Sequence, residues 1–445
     1  MIQNSRYPLA ILLMVSAACV STGNDAVETP SSFKTVADTA IPEPIPLPSD
    51  PVLEDYITFG LSNSATIRAR FEMWKAALAQ TEQADTYPDP QLSYGEFLES
   101  VQTRTGPQER RIGLSQAFPW PGKLRAQAQV AASRAEAARH RLQVERLRVQ
   151  TAIEVAYFDY GLLAQEISTT RELLVLLHGL EPVVQGRIRG GEGQASLLRL
   201  QVEIGRLEDD LARVLRRQRV ASAHLADAMT LNREPGDILP LPQLPKPVVS
   251  TVALDSTLAL ALENNPEIHD LQAELGARRA AIEVAGFKSL PNFMLGIETM
   301  QTGSAIDPLM AGSGDDPLMV KVGVSLPVWR RSYQAAEREA RHRVRAAQQN
   351  LDALESRLRM RIEVQAFAVE DSARKISLYR DSLIPRASEA LQLTLVAYRT
   401  GTSSILDLID SERALLEFQL SFWRACHAYL EGRAHLRALS GGETS

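Results

Sequence analysis

Cysteine is nearly absent: the 445-residue chain holds two, Cys19 and Cys426. A secreted disulfide framework needs more, so the pair plays unrelated parts. Basic charge is not in excess either. The net charge is −6, which removes the electrostatic footprint of a nucleic-acid binder. No apolar run reaches the roughly 18–20 residues that a membrane-spanning helix requires. The histidines (140, 178, 224, 269, 342, 427 and 435) are never four or fewer apart, and no Cys-x-x-Cys occurs. A dedicated zinc or copper cage is therefore not expected. Gly190-Gly191-Glu192-Gly193 lacks the preceding strand and the lysine of a phosphate-binding loop. These gaps argue against an enzyme, a bound cofactor and a nucleic-acid partner. What remains, 45% hydrophobic and 23% charged residues, supports a large folded body.

The N-terminus reads as an export signal. Arg6 precedes PLAILLMVSAACV (Pro8–Val20), an apolar core too short to span a bilayer and followed by small residues. Ser16-Ala17-Ala18-Cys19 resembles a lipobox, in which Cys19 becomes the acylated first residue; Ser-Ala-Ala also suits an ordinary signal peptidase. Residues 1–18 are thus a signal peptide, and 19–50, rich in Ser, Thr, Pro and Gly, a flexible tether. Cys426, inside LSFWRACHAYL, reads as a small packing residue.

The rest is written twice. GLSNSATI (Gly60–Ile67) matches ALENNPEI (Ala261–Ile268), and RIGLSQAFP (Arg111–Pro119) matches MVKVGVSLP (Met319–Pro327). RGGEGQASLL (Arg189–Leu198) matches RTGTSSIL (Arg399–Leu406) more loosely. A Pro-rich linker, 234–253, separates the repeats 51–233 and 254–440. Self-similarity at a spacing of about 200 residues means a duplicated domain-sized unit. Each copy predicts a helix (52–84; 255–288), two strands (90–102 with 109–118; 292–302 with 317–326) and a long Ala/Arg/Gln/Glu/Leu helix (123–178; 332–384). Pro182 or Pro385 then precedes a glycine turn and a returning helix (194–231; 404–438). Helices this long need partners along their length, as in a coiled coil.

The strands alternate. Leu318, Val320, Val322, Val324 and Leu326 share one face; Met319, Lys321, Gly323 and Ser325 share the other. Ile112, Leu114 and Phe118 oppose Arg111, Gly113, Ser115 and Ala117 in the same way. A soluble sheet resting on helices produces this pattern, and so does a barrel in lipid. Four strands cannot close a barrel, and an open edge is not tolerated in hydrocarbon. Lipid exposure would therefore require an oligomer, with eight strands from two chains or twelve from three. Met294, Met300, Met310 and Met319 cluster around the second strand pair. Thioethers suit Cu(I), but gap-filling is their commoner use.

YPDPQLSYGEF (Tyr87–Phe97), QAFPWPGKL (Gln116–Leu124) and YRTGTSSILDLID (Tyr398–Asp410), in this order and duplicated, resemble the TolC-like outer-membrane channels of tripartite efflux and secretion systems. The first two segments are most similar to the branch serving heavy-metal exporters. The resemblance implies a mainly α fold with a β portion: a homotrimeric helical barrel topped by a twelve-stranded transmembrane β-barrel, four strands from each chain. It also implies a place in the bacterial outer membrane with the helical tunnel in the periplasm. The implied partners are outer-membrane lipid, a periplasmic adaptor (membrane fusion) protein and an inner-membrane RND-type pump. Pro119, Pro121 and Pro327 suit strand ends. Trp120 and Trp329 fall where an interfacial aromatic belt would sit, and Trp120 suits core packing equally.

The resemblance puts the two glycine turns at the periplasmic tips of the helical hairpins. Gly193 and Gly401 would reverse the chain, and Ser196 or Ser404 would cap the returning helices. Arg189, Gly193, Ser196, Arg399, Thr400, Gly401, Thr402, Ser403 and Ser404 become candidate adaptor contacts, unless they merely close hairpins. Asp407 and Asp410 share one helix face and match the paired aspartates lining the periplasmic entrance of such channels. An ordinary solvated face near a helix N-terminus explains them too. The first copy has Arg199 where the second has Asp407. The expected function is an exit duct, with heavy-metal cations as cargo. A duct for drugs or type I protein secretion, and a periplasmic coiled-coil scaffold, are the competing readings.

Overall fold

Each half of the chain folds in the same element order in the computed structural model, which describes residues 46–442 apart from Pro235 and Pro308. The expected signal peptide, Cys19 and nearly all of the tether lie outside the described residues. The first half comprises α1 (Leu53–Asn63), α2 (Ala65–Ala84), β1 (Gln91–Thr103), β2 (Gly106–Phe118), α3 (Lys123–Arg189) and α4 (Ala195–Ala228). The second comprises α5 (Leu254–Asn264), α6 (Pro266–Phe287), β3 (Phe293–Thr302), β4 (Leu318–Val324) and α7 (Arg330–Leu378). A π-turn, Tyr379–Leu383, then leads into α8 (Ile384–Thr400) and α9 (Ile405–Leu439). No described helix is long and apolar enough to cross a membrane.

The single opening helix expected in each half is in fact two, and the repeated motif explains the break. Ser64 and Asn265, equivalent in the two copies, leave the helical region with ψ near 119°. Ser64 Oγ accepts the Ile67 N–H at 3.4 Å, and Asn265 Oδ1 accepts the Glu267 N–H at 2.8 Å. Both side chains thus cap the helix that follows. Pro266 sits where a helix's first N–H is free anyway.

The two long helices meet their prolines differently. Pro182 does not interrupt α3, which runs 67 residues. An interior proline costs about 3 kcal/mol. Leu177, Leu180 and Val184, all 3% exposed or less, flank it in the hydrophobic cluster and outweigh that cost. In the second half the ladder first widens, with the Ile384 N–H reaching back to the Tyr379 carbonyl. Pro385 then falls in the first turn of α8, where its missing donor costs little.

The described residues cluster into two compact units, each drawing on both halves of the sequence. One takes in Lys75–Ala135 and Gly276–Val344 and contains the sheet; the other contains the hairpins formed by the returning helices. The sheet is an antiparallel meander in the order β1-β2-β3-β4. Its rows are uniform. Leu92, Leu114, Ile297 and Val320 align in one row, and Ser93, Gly113, Glu298 and Met319 in the next. The apolar face is bare, with Leu92 and Val322 each 74% exposed. β1 and β4 each have one unpaired edge among the described residues. In the other unit, the Pro-rich segment is pinned although it forms no helix or strand. Tyr160 OH donates to the Leu239 carbonyl at 2.6 Å, and the Ser250 N–H donates to Tyr429 OH at 3.0 Å.

Candidate functional site

Two helical hairpins, α3–α4 and α8–α9, turn side by side within one unit and pack on a shared cluster. Leu200 and Leu207 come from α4, Leu391 and Tyr398 from α8, and Ile405, Leu408 and Ile409 from α9. The second turn follows expectation. Gly401 adopts a left-handed conformation (φ 88°), which favours a residue without Cβ. Ser404 forms a capping box with Asp407. The first turn differs from expectation. Its left-handed residue is Gly191 (φ 109°) rather than Gly193. Gln194 precedes α4 without a side-chain cap, and Ser196 Oγ instead donates to Glu192 Oε1 at 2.7 Å. The extra residues of the first turn move the reversal upstream and leave Ser196 inside the helix.

The candidate acids both face solvent but are not equivalent. Asp407 Oδ2 accepts the Ser404 N–H at 2.9 Å and the hydroxyls of Ser404 and Ser403 at 2.8 and 3.0 Å. The backbone donor and the two hydroxyls hold its carboxyl below the usual aspartate range. Asp410 is open, its carboxylate 3.9 Å from the Arg413 guanidinium. Arg189, Gly193, Arg399, Thr400, Gly401, Thr402 and Ser404 are exposed, with Ser403 and Ser196 half-buried. Thr400 and Thr402 turn their hydroxyls back on the Ala397 carbonyl, each at 3.1 Å.

Sequence reasoning missed what joins the two tips. Arg187 leaves the end of α3 and donates to the carbonyls of Tyr398 and Ser403 on the other hairpin. Its Nε lies 2.9 Å from Glu192 Oε2, and its guanidinium stacks 4.3 Å from the Tyr398 ring centre. Tyr398 is fully buried and donates to Glu192 at 3.4 Å. Burial, with the Glu192 charge, pushes its phenol up to about 12. The available signal was the aromatic three residues before Gly401, a position that turns inward at a helix end.

Behind the turns lie two buried glutamates, also missed. Glu203 (2% exposed) lies 2.9 Å from Arg206 on its own helix and pairs with Arg413 of α9. Burial opposes its charge, but the Arg413 and Arg206 guanidiniums hold it ionised, below the usual range. Glu412, also 2% exposed, has an Oε1 with no hydrogen-bond partner among the described residues. Burial, reinforced by the Glu203 charge, pushes it up to about 8. Each occupies an apolar position of a helical stripe with a 3.6-residue period: Glu203 lies among Leu200, Ile204 and Leu207 of α4, and Glu412 among Ile405, Leu408, Ile409 and Leu416 of α9. A carboxylate at a core position was the legible clue.

Comparison with known proteins follows the same lines. Residues 257–442 match the family described as outer membrane efflux protein. No curated protein matches the chain in sequence. Among solved structures, the outer membrane protein VceC from Vibrio cholerae shares 18% identity over 88% of this chain and 97% of its own, with TM-score 0.71. CusC, solved in a study of folding and transmembrane channel formation, shares 17% identity over 91% and 99%, with TM-score 0.73. The open-state MtrE outer membrane channel of Neisseria gonorrhoeae shares 19% over 88% and 89%, with TM-score 0.70. The chain therefore has the fold of these channel proteins. The family match over its second half supports an outer-membrane efflux family.

Proposed function

We propose that this chain is the exit duct of a tripartite efflux system, a homotrimer in the bacterial outer membrane with its helical hairpins in the periplasm. The sheet carries this reading. Its apolar face is exposed along four strands, its other face mixes glycine and serine with methionine and charged side chains, and β1 and β4 each leave one edge unpaired among the described residues. Such a sheet is stable in lipid only when copies pair edge to edge, and three copies give a closed twelve-stranded barrel. Membrane fractionation tests it. The channel stays in the outer membrane through a carbonate wash and needs detergent for extraction; a soluble periplasmic scaffold would wash off.

The remaining assignments follow from that placement. The exposed tip residues Arg189, Arg399, Thr400 and Thr402 meet a periplasmic adaptor that couples the duct to an RND-type pump. Asp407 and Asp410 line the closed entrance, where a trimer would set six carboxylates around one axis and favour cations. Replacing both with alanine raises conductance in a reconstituted channel; unchanged conductance would remove the gate. The proline-bearing segments at Tyr87–Phe97 and Gln116–Leu124 favour heavy-metal cations as cargo. Deleting the gene should then lower tolerance to copper, silver, zinc, cobalt or nickel, whereas sensitivity confined to a drug panel would move the cargo to another class. Cys19 is the lipid attachment site, and Cys19→Ser should abolish incorporation of labelled fatty acid.

A further inference from the structure

Within its paired rows, the polar face of the sheet carries charge at only three positions: Arg111 on β2, Glu298 on β3 and Lys321 on β4. Glu99 and Glu109 fall at the irregular stretches of β1 and β2 near the strand ends, and Asp315 and Asp316 precede β4 in the connecting loop, so these acids lie outside those rows. The three charged groups form a short ladder across neighbouring strands. Glu298 pairs with the Lys321 ammonium, and the Arg111 Nε is 3.9 Å from its carboxylate. Their exposures differ sharply. The Glu298 side chain is 9% exposed, against 51% for Arg111 and 40% for Lys321.

Glycines explain how a long acid becomes covered on an open sheet. A Cβ at Gly113 would meet Glu298 Oε2 at 3.3 Å, one at Gly95 would meet Arg111 Nε at 3.8 Å, and one at Gly323 would meet Met294 Cε at 3.0 Å. Each long side chain therefore lies flat over the glycine of an adjacent strand. The wall stays low and the anion is tucked beneath the cations. A solute moving along this face meets guanidinium and ammonium groups.

We infer that Arg111 and Lys321 form an anion-favouring belt on the inner wall of the β-barrel, with Glu298 as the positioning residue that holds them against the wall. This rests on the channel reading, which makes the polar face the lumen. Two cations against one anion leave this ladder with one net positive charge per chain, repeated around the barrel. Low-dielectric walls focus that field, and rings of charged side chains set ion preference in pores. The ion favoured at this level of the barrel is chloride over potassium, opposite in sign to the preference that the entrance acids would set.

The test uses the purified full chain in planar bilayers under a KCl gradient, both as wild type and with Asp407→Ala/Asp410→Ala to remove the entrance acids. In that second background the chloride-to-potassium permeability ratio should be about 2–5 near 0.1 M salt. It should approach 1 at 1 M, where the screening length falls from about 10 Å to about 3 Å. Arg111→Gln/Lys321→Gln should move the ratio toward cations and Glu298→Gln toward anions. Shifts of opposite sign cannot come from general loosening. An unchanged ratio, or shifts of the same sign, would overturn the belt. Wild-type protein that conducts nothing would defeat the channel reading itself. Should the double variant fail to assemble, Ser115→Cys in the otherwise unchanged chain reports the same field. An anionic thiol reagent should label it at least about twice as fast as a cationic one at low salt; equal rates would count against the belt.

Discussion

Glu412 should make the hairpin bundle weaken as pH rises. Its carboxyl has an ordinary value of 4.5 and is pushed up to about 8 by burial and the nearby Glu203 charge. Between those values the folded chain holds a proton that the unfolded chain has released, so stability falls with increasing pH. The contribution is nil below 4.5, grows through the window and is complete above about 8. At about 1.4 kcal/mol for each pH unit, the full loss is of order 4–5 kcal/mol. Glu412→Gln keeps the shape and cannot ionise, so it should remove most of this slope. The assay is hydrogen exchange of the α9 amides around Ile409–Leu416, at pH 5.5, 7 and 9 and corrected for intrinsic rates. Wild-type protection should drop toward pH 9 and the variant's should stay level. A variant that kept the wild-type slope, or that lost as much protection at pH 5.5 as at pH 9, would refute the reasoning.

Arg187→Ala should strip the Tyr398 and Ser403 carbonyls and Glu192 of their shared donor, costing about 2–4 kcal/mol at the tips. Faster amide exchange at Thr402 and Ser403 checks this, and Arg187→Lys should recover only part because it cannot span all three acceptors. Asp407→Ala should lower stability by about 1 kcal/mol through loss of the capping box. Asp410→Ala should be neutral within about 0.5 kcal/mol in the same melt, because its carboxylate is open. Gly113→Leu should press against Ser93 Oγ and the Glu298 carboxylate and reduce the yield of assembled, heat-resistant oligomer, whereas Gly179→Ala, in open space on α3, should not.

The fold was largely legible because its signals are periodic. Alternation gave the strands and their two faces, and two copies of each motif gave the element order. The errors occurred where a local rule met a tertiary contact. Pro182 was expected to end a helix, and packing of Leu180 and Val184 carried the helix through it. Ser64 and Asn265 were read as repeat markers, although their capping geometry is what the repeat preserves. Glu203, Glu412 and Arg187 are single charges at inward positions, and a group that decides the state of each (Arg413, Glu203 and Tyr398 in turn) lies on another helix. Periodicity identifies the inward face but not the residue opposite.

The Arg187 contacts also decide how the two hairpins respond to force. The first hairpin supplies the guanidinium and Glu192; the second supplies two backbone carbonyls and the Tyr398 ring. A pull on the first turn therefore acts on the backbone of the second, at Tyr398 and Ser403, immediately before the helix that carries Asp407 and Asp410. Side-chain partners could swing aside, but the Tyr398 carbonyl belongs to the last turn of α8 and the Ser403 carbonyl to the turn that leads into α9, so neither moves without moving backbone. In the proposed channel, contact at the Arg189 tip and displacement of the acids would be linked through Arg187, beside the Tyr398–Glu192 hydrogen bond and the Glu203–Arg413 pair. Within the proposed channel, an adaptor that engages only the first hairpin can still open the entrance, and Arg187→Ala should weaken that coupling, read as a smaller rise in conductance when adaptor is added to the reconstituted channel.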